Sequence, residues 1–304
     1  MKETPLQIRS PWQSLVHLLL LTFVWSIGIQ VLAIVVGSLS GGGLFDGGNL
    51  LDQSPFFRYL ILAAGTFGTF YLPSVLLQKR EPYNDYFPYE NKSVVLLCIL
   101  GVAMLVAVGP VMERIGEWNA HMSLPESWKG IEEWMRQQED AANEVVKKVA
   151  MVDNIGFLFL NLIVLAVLPA IAEEYYFRGV LMHIILRIAK NGHVAVWLTA
   201  IIFSAIHVQF FGFFPRMILG VLFGYMLLWS RNMWVPIVAH FVNNAAVTIL
   251  AYYYTVQGKT FEELQSFTDY PLWMYGGSIV LTIMVVVLFY NKTKNQQEYG
   301  ERMG

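Results

Sequence analysis

Charged residues are scarce in this sequence. Asp, Glu, Lys and Arg make up 14% of its 304 residues, whereas a soluble domain carries about 25%. Hydrophobic residues make up 56%, and the mean hydropathy is +0.51. The formal net charge of −2 lacks the basic excess expected of a nucleic-acid-binding protein. The composition therefore indicates a membrane protein and argues against a nucleic-acid partner.

Cysteine is almost absent as well. The single cysteine, Cys98, can form no disulfide within the chain, so cysteine usage says nothing about the redox compartment. Because Cys98 lies in an apolar run, we interpret it as a small buried or lipid-facing side chain.

Long apolar runs dominate the sequence instead. About 20 apolar residues cross a bilayer once, so these runs predict an all-α, polytopic transmembrane helix bundle of about eight spans, forming a single membrane domain over 1–304. The first run is too long for a signal-peptide core and is interpreted as a retained span. The predicted spans cover 14–36, 57–78, 93–112, 155–189, 194–213, 215–230, 233–254 and 272–290.

Basic residues concentrate on one side of these predicted spans. They lie near both termini and in the connections at 79–92, 187–190 and 231, whereas the other connections are glycine-rich or acidic. By the positive-inside rule, both termini are expected to be cytoplasmic. We expect an integral, multi-pass protein of the plasma membrane, taken to be that of a bacterium.

The longest polar section, 113–154, is predicted to be an extramembrane amphipathic segment. Two alternatives stay open for it: a helix that lies at the membrane interface, or a solvated helix that packs on its own protein. Its apolar residues recur at helical spacing; they are Trp128, Ile131, Trp134, Met135, Ala142, Val145, Val146 and Val149.

The fourth apolar run is longer than one crossing needs. Residues 155–189 would form a helix of about 52 Å, against a hydrocarbon core of about 30 Å. Either the helix protrudes from the membrane or Pro169 kinks it. Pro169 lies one turn before Glu173, so a kink would loosen the backbone beside the charged residues described next.

Three charged residues interrupt this apolar run: Glu173, Glu174 and Arg178. Charge at the bilayer centre costs at least about 2.5–3.5 kcal/mol per residue, so such residues are rare and usually functional. Glu174 and Arg178 are four residues apart on one helix face and are predicted to pair. Glu173 has no basic residue at helical spacing, which leaves it as the free carboxylate. The alternative is a structural ion pair between Glu173 and a basic residue of another helix.

Two later spans add polar groups at membrane depth. The fifth carries His207, four residues after Phe203, and the seventh carries His240, four residues before Asn244. A carboxylate can act as a general base toward water, imidazoles can bind a metal or hold the water, and an amide can donate to an oxyanion. The remaining histidines, His17, His121, His183 and His193, are interpreted as structural.

These motifs resemble those of the CPBP family. Glu173-Glu174-Tyr175-Tyr176-Phe177-Arg178, Phe203 to His207, and His240 to Asn244 follow one another on successive predicted membrane helices. The family comprises the CAAX prenyl proteases of the type that processes Ras and a-factor, with related bacteriocin-processing or immunity proteins. The resemblance covers about 155–250, which we take as a CPBP-like catalytic core.

The resemblance implies an intramembrane endopeptidase of glutamate-dependent or metallo type. Glu173 would activate the water with help from His207, and His240 and Asn244 would stabilise the oxyanion. Glu174 and Arg178 would be structural or assist the base, and Phe203 would pack near the site. The substrate would be a membrane-associated or lipidated protein or peptide that enters from the lipid bilayer.

Zinc is the candidate metal, and Glu173, His207 and His240 are its candidate ligands. A Glu and two His suit zinc with an open coordination position, but the sequence lacks the His-Glu-x-x-His helix of many zinc proteases. A non-enzymatic immunity or regulatory protein of the same family is the first alternative. A transporter with a proton relay is the second, and it would be expected to show paired half-repeats, which the sequence lacks.

Overall fold

The computed structural model describes residues 9–39, 54–90 and 93–301. The glycine-rich connection predicted between the first two spans lies outside the described residues, as do the two termini. The helices are α1 (Pro11–Leu39), α2 (Pro55–Arg80), α3 (Val94–Ala120), α4 (Lys129–Ala150), α5 (Ile155–Ala189), α6 (Gly192–Ala205), α7 (Phe213–Ser230), α8 (Trp234–Val256), α9 (Phe261–Leu264) and α10 (Leu272–Glu301).

Seven of the described helices are long and apolar enough to cross a membrane: α1, α2, α3, α5, α7, α8 and α10. The prediction of an all-α, multi-pass membrane bundle is confirmed. The fifth predicted span, 194–213, is shorter than expected, because α6 has 14 residues and measures about 21 Å. Residues 206–209 then leave the helix before a 3₁₀ turn over Phe210–Gly212 leads into α7.

Short polar turns set α5, α6, α7 and α8 side by side. Lys190 ends α5 with a left-handed φ of 54°, and the Asn191 side chain caps α6 by accepting a hydrogen bond from the Val194 amide at 3.1 Å. Arg231 ends α7 in the same way, with a φ of 49°. Such tight reversals make successive helices antiparallel neighbours and bring the motif-bearing segments together.

At the N-terminal end of the bundle, a buried carboxylate ties three segments together. Glu81 accepts hydrogen bonds from Ser14 Oγ at 2.8 Å, Asn84 Nδ2 at 3.0 Å and the Tyr86 hydroxyl at 2.6 Å. Arg187, near the end of α5, donates to Ser14 Oγ at 3.2 Å. Burial and the neighbouring Glu81 carboxylate raise the pKa of the Tyr86 phenol, which keeps it a hydrogen-bond donor.

At the opposite end, α4 packs on its own protein. Trp134 contacts Phe210 with ring centroids 5.5 Å apart, and Lys147 pairs with Glu262 at 3.3 Å. The side chains of Trp128 and Ile131 stay exposed. The contacts agree with the second alternative for the amphipathic segment and the exposed apolar side chains with the first, so both stay open. The first residues of the predicted segment belong to α3, which continues as one helix to Ala120.

The long helix α5 is continuous and carries two π-helical turns, over Leu162–Val167 and Tyr175–Leu181. Pro169 follows the first π turn. Proline has no N–H to donate to the carbonyl four residues earlier, and here that carbonyl, Leu165 O, accepts a hydrogen bond from Asn244 Nδ2 at 3.3 Å. The wide turn and this side chain accommodate the proline within the helix.

Gly179 marks a close approach between α5 and the 81–90 connection. A Cβ at this position would lie 2.8 Å from the Phe87 ring and 2.9 Å from the Tyr86 carbonyl. We therefore expect Gly179→Ala to lower stability by about 1–3 kcal/mol through overpacking, measured as thermal unfolding in detergent. Gly28→Ala is the matched control, since nothing lies within 4 Å of a Cβ there. Equal effects of the two substitutions would contradict the packing argument.

Candidate active site

The charged residues of α5 lie where this helix packs against α6, α7 and α8. Arg178 Nη1 donates to Glu174 Oε1 at 2.8 Å, and the side chains are 1% and 0% exposed. Arg178 Nη2 donates to the Gly220 carbonyl at 3.2 Å, and the guanidinium lies 4.5 Å above the Phe203 ring. The ion pair predicted from helical spacing is confirmed.

His240 of α8 connects the two glutamates. Its Nδ1 lies 2.8 Å from Glu174 Oε1, and its Nε2 lies 3.9 Å from Glu173 Oε2. Because Glu174 is paired with Arg178, it is a carboxylate that accepts, so His240 Nδ1 carries the hydrogen and donates it. The ring is also stacked on Phe223, with centroids 5.2 Å apart. His240 Nε2 is thereby held toward Glu173.

Glu173 is the least engaged of these groups. Apart from the 3.9 Å approach of His240 Nε2, its carboxylate has no hydrogen bond or Lys/Arg ion pair within the described ranges. Its side chain is 13% exposed, whereas that of Glu174 is fully buried. The alternative reading, a structural ion pair to a basic residue on another helix, therefore finds no partner in the described part of the chain.

His207 lies just beyond the end of α6. Its Nδ1 lies 2.7 Å from the Phe203 carbonyl, which can only accept, so the hydrogen is on Nδ1 and Nε2 is left with its lone pair. The Phe203 ring is edge-on to both imidazoles, with centroids 5.1 Å from His207 and 6.2 Å from His240. Phe203 thus brings His207 into the cluster, as a packing residue near the site.

The residue after His207 is strained. Val208 has a φ of 55°, in the left-handed region that is an outlier for a β-branched residue. Such a conformation costs roughly 1–3 kcal/mol, persists only when the surroundings impose it, and is found preferentially at functional sites.

Asn244 lies one turn beyond His240 on α8 but makes a different contact. One hydrogen of its amide goes to Leu165 O at 3.3 Å, and Asn243 Nδ2 donates to its Oδ1 at 3.2 Å. Within the described residues it forms no hydrogen bond with Glu173 or either histidine. Its contact is with the carbonyl four residues before Pro169, two turns away from the charged residues along α5.

The candidate zinc ligands meet only some of the requirements of a metal site. His207 and His240 each keep a free Nε2, and Glu174 orients His240 as outer carboxylates orient ligating histidines. In the parts of the chain that the structure describes, however, no group of three or more His, Cys, Asp or Glu side chains has the spacing of a metal site. The donor types suit zinc, the geometry falls short of a ligand set, and the zinc site stays a prediction.

Two residues that contact the charged cluster, Phe223 and Gly220, were not predicted from the sequence motifs. Phe223 of α7 stacks on His240 and lies under Arg178, and nothing in the local sequence distinguishes it from other apolar residues. Gly220 supplies the carbonyl that Arg178 binds, and here a signal existed in Gly220-x-x-x-Gly224. A Cβ at these glycines would lie 3.1 Å from Ala200 and 2.9 Å from Val196, so they allow α6 and α7 to approach closely.

Comparison with protein families identifies the segment that holds these residues. It matches the model of the type II CAAX prenyl endopeptidase Rce1-like family over 155–246. We call residues 155–246 the Rce1-like domain, after the family whose model they match. The resemblance inferred from the three motifs is confirmed for this segment, which contains every candidate site residue from Glu173 to Asn244.

A curated relative aligns with a segment of this chain about as long as the Rce1-like match. The protein named "Uncharacterized protein YpbD" of Bacillus subtilis (strain 168) is 34% identical over 89 residues, which cover 28% of this chain and 42% of the relative. The chain thus aligns with less than half of that relative. No solved structure matches this chain.

Proposed function

We propose that this protein is an intramembrane endopeptidase that hydrolyses a peptide bond of a membrane-associated or lipidated protein or peptide. The proposal agrees with the family of the Rce1-like domain. The observation that carries it is Glu173: a carboxylate without a cationic partner in the described structure, facing an imidazole nitrogen that Glu174 holds in place. A protein that used this cluster only for stability would have no need of the unpaired carboxylate.

In the proposed mechanism, Glu173 is the general base. A water that donates one hydrogen bond to its carboxylate and the other to the free Nε2 of His207 gives a proton to Glu173 while its oxygen attacks the peptide carbonyl. The carbonyl C–N bond then breaks, and Glu173 returns the proton to the leaving amine. His207 assists by orienting the water. Glu174 and Arg178 position His240 and do not touch the reacting atoms.

Stabilisation of the oxyanion is proposed for His240 and Asn244. With its Nδ1 hydrogen on Glu174, His240 can donate to an oxyanion from Nε2 only as an imidazolium, whose second proton comes from the solvent. The Glu174 and Glu173 carboxylates, at 2.8 and 3.9 Å, are placed to stabilise that charge. Asn244 has a second amide hydrogen besides the one bound by Leu165 O.

Substrate access is proposed from the cytoplasmic side of a bacterial plasma membrane. Both termini are proposed to be cytoplasmic, which requires the short helix α6 to make an eighth crossing beside the seven longer helices. His240 is six residues into α8 from Trp234, about 9 Å from that end of the helix. A substrate with a hydrophobic or lipidated end would enter laterally from the bilayer and extend its scissile bond toward Glu173.

Cleavage by purified protein in liposomes tests this function. A prenylated CAAX peptide, its unprenylated form and a panel of membrane proteins would be incubated with the protein, and the products mapped by mass spectrometry. We expect one defined cut in at least one membrane-associated substrate, with one water added across the bond. Binding of a panel member without cleavage would instead favour the non-enzymatic immunity or regulatory alternative.

Chelation tests the zinc prediction separately. If zinc takes part, the purified protein contains it at an equimolar level and loses both metal and activity together on chelation, with recovery on adding zinc back. Full activity in protein that has been shown to be metal-free would overturn the prediction and leave Glu173 and the histidines as the whole catalytic apparatus.

A further inference from the structure

The turn that carries His207 is held from outside the Rce1-like domain. It runs from the end of α6 to the start of α7 and includes Val208, whose left-handed φ of 55° a valine does not adopt by preference. A helix that ends in this conformation normally uses glycine or asparagine there. The surrounding contacts must therefore impose the turn.

Asn119, at the end of α3, makes the most direct of these contacts. Its Nδ2 donates to the Phe210 carbonyl at 3.0 Å, and its Oδ1 accepts from the Phe214 amide at 2.9 Å. One side chain, 2% exposed, thus bridges two main-chain groups on either side of the 3₁₀ turn. A buried amide that satisfies two main-chain groups fixes their separation.

The amphipathic helix α4 holds the same turn from a second direction. Glu139 Oε2 accepts from the Phe211 amide at 3.3 Å. The Arg136 guanidinium lies 4.2 Å from the centroid of the Phe211 ring, and Trp134 packs on Phe210. Three side chains of α4 therefore contact the two residues that follow Gln209.

Within the domain, Arg216 and Ser204 close the turn. Arg216 Nη2 donates to Gln209 Oε1 at 2.8 Å, and a Cβ at Gly212 would lie 3.3 Å from this nitrogen, so glycine leaves room for the guanidinium. Ser204 Oγ donates to the Phe213 carbonyl at 2.7 Å. These two bonds join the ends of the turn but reach neither Phe210 nor Phe211, which depend on Asn119 and α4.

We propose that Asn119, supported by Glu139 of α4, is a positioning residue for His207. Asn119 holds Phe210 and Phe214, and Glu139 holds Phe211. Together they impose the strained Val208 conformation that keeps His207 Nδ1 on the Phe203 carbonyl and Nε2 free for the water. This inference rests on the proposed function for its catalytic meaning. It also gives the 113–154 region, which lies outside the Rce1-like domain, a role in completing the site.

The proposal is tested by removing the Asn119 side chain, alone and together with a substitution that relieves the strain at Val208. Asn119→Ala is expected to lower kcat by about 10–100-fold with little change in KM, because a misplaced catalytic group costs rate at unchanged binding. Adding Val208→Gly is expected to restore most of the lost kcat, since glycine adopts a positive φ without a steric cost. Asn143→Ala is the control: it removes a half-buried asparagine of α4 that bonds Gln265, away from the turn.

Hydrogen exchange gives a readout that does not need activity. In Asn119→Ala the amides of residues 207–214 are expected to exchange faster, with exchange in α1 unchanged. If wild-type protein cleaves nothing, the proposed function fails while exchange still decides whether Asn119 holds the turn. Unchanged exchange, an unchanged kcat, or a lowered kcat that Val208→Gly does not restore would each overturn the positioning role. If Asn119→Ala does not fold, Glu139→Ala is tested with the same rescue.

Discussion

Replacing Glu173 with glutamine is expected to slow peptide-bond hydrolysis by about 100–10,000-fold, the usual contribution of a positioned general base. Glutamine keeps the shape of glutamate but cannot take a proton from water. The effect should fall on kcat, because the carboxylate acts on the water and not on the bound chain. Product formation in the liposome assay, with wild type and variant at equal protein, measures it.

The thermal stability of Glu173→Gln is expected to stay equal to that of wild type or to rise, although its activity falls. Since no Lys or Arg lies within 4 Å of Glu173 in the described structure, the substitution removes a largely buried charge without breaking an ion pair. Glu173→Gln should therefore unfold at the same temperature as wild type or higher, the usual signature of a site that exchanges stability for activity. Glu90→Gln, which changes an exposed carboxylate paired with Arg231, is the matched control and should leave both quantities unchanged.

Two results would count against the assignment of Glu173. Wild-type hydrolysis by Glu173→Gln would remove it as the base. A large loss of stability would show that Glu173 is a structural carboxylate with a partner that α8 or another helix provides. His207→Ala in the same assay distinguishes the general base from the group that orients the water. Loss of the orienting group should lower kcat less than loss of the base does.

The membrane-bundle class and the contacts within single helices could be predicted from the sequence. The scarcity of charged residues is sufficient to predict a membrane bundle. The Glu174–Arg178 pair depends only on the geometry of one helix. The contrast between a paired Glu174 and an unpaired Glu173 followed from the same spacing. These predictions needed no knowledge of how the helices pack.

The contacts between helices could not be predicted in this way. The hydrogen bond between His240 and Glu174 depends on the rotation of α8 against α5, which no local pattern encodes. Asn244 is a predicted oxyanion donor, and its amide contacts the carbonyl of Leu165, four residues before Pro169. Proline and asparagine are 75 residues apart in the chain, so only the packed structure relates them.

The early end of α6 was missed for a different reason. Hydropathy stays high through Ile206, Val208 and the phenylalanines that follow, so the apolar run continues where the helix does not. Gln209 and Gly212 were the local signals of a break, and both turn out to contact Arg216. A valine in a left-handed conformation has no sequence signature, because its own preference opposes that conformation.

Arg178→Met is expected to destabilise the protein by about 3–5 kcal/mol, the range for removing one partner of a buried ion pair. Methionine keeps an unbranched chain of comparable length but no charge. Glu174 would then be a buried carboxylate whose Oε1 keeps only His240 and whose Oε2 has no hydrogen-bond partner. The Gly220 carbonyl would lose its bond as well. Unfolding monitored in detergent, with wild type measured in parallel, tests this.

The double variant Arg178→Met/Glu174→Gln distinguishes the unpaired charge from lost packing as the cause. If the destabilisation comes from a stranded carboxylate, removing that charge should restore part of the stability, since a glutamine oxygen can still accept from His240 Nδ1. If it comes from the contacts of the guanidinium with the Phe203 and Phe223 rings, the double variant should be no more stable than Arg178→Met. Arg231→Met is the control: it breaks an exposed pair with Glu90 and should cost at most about 1 kcal/mol.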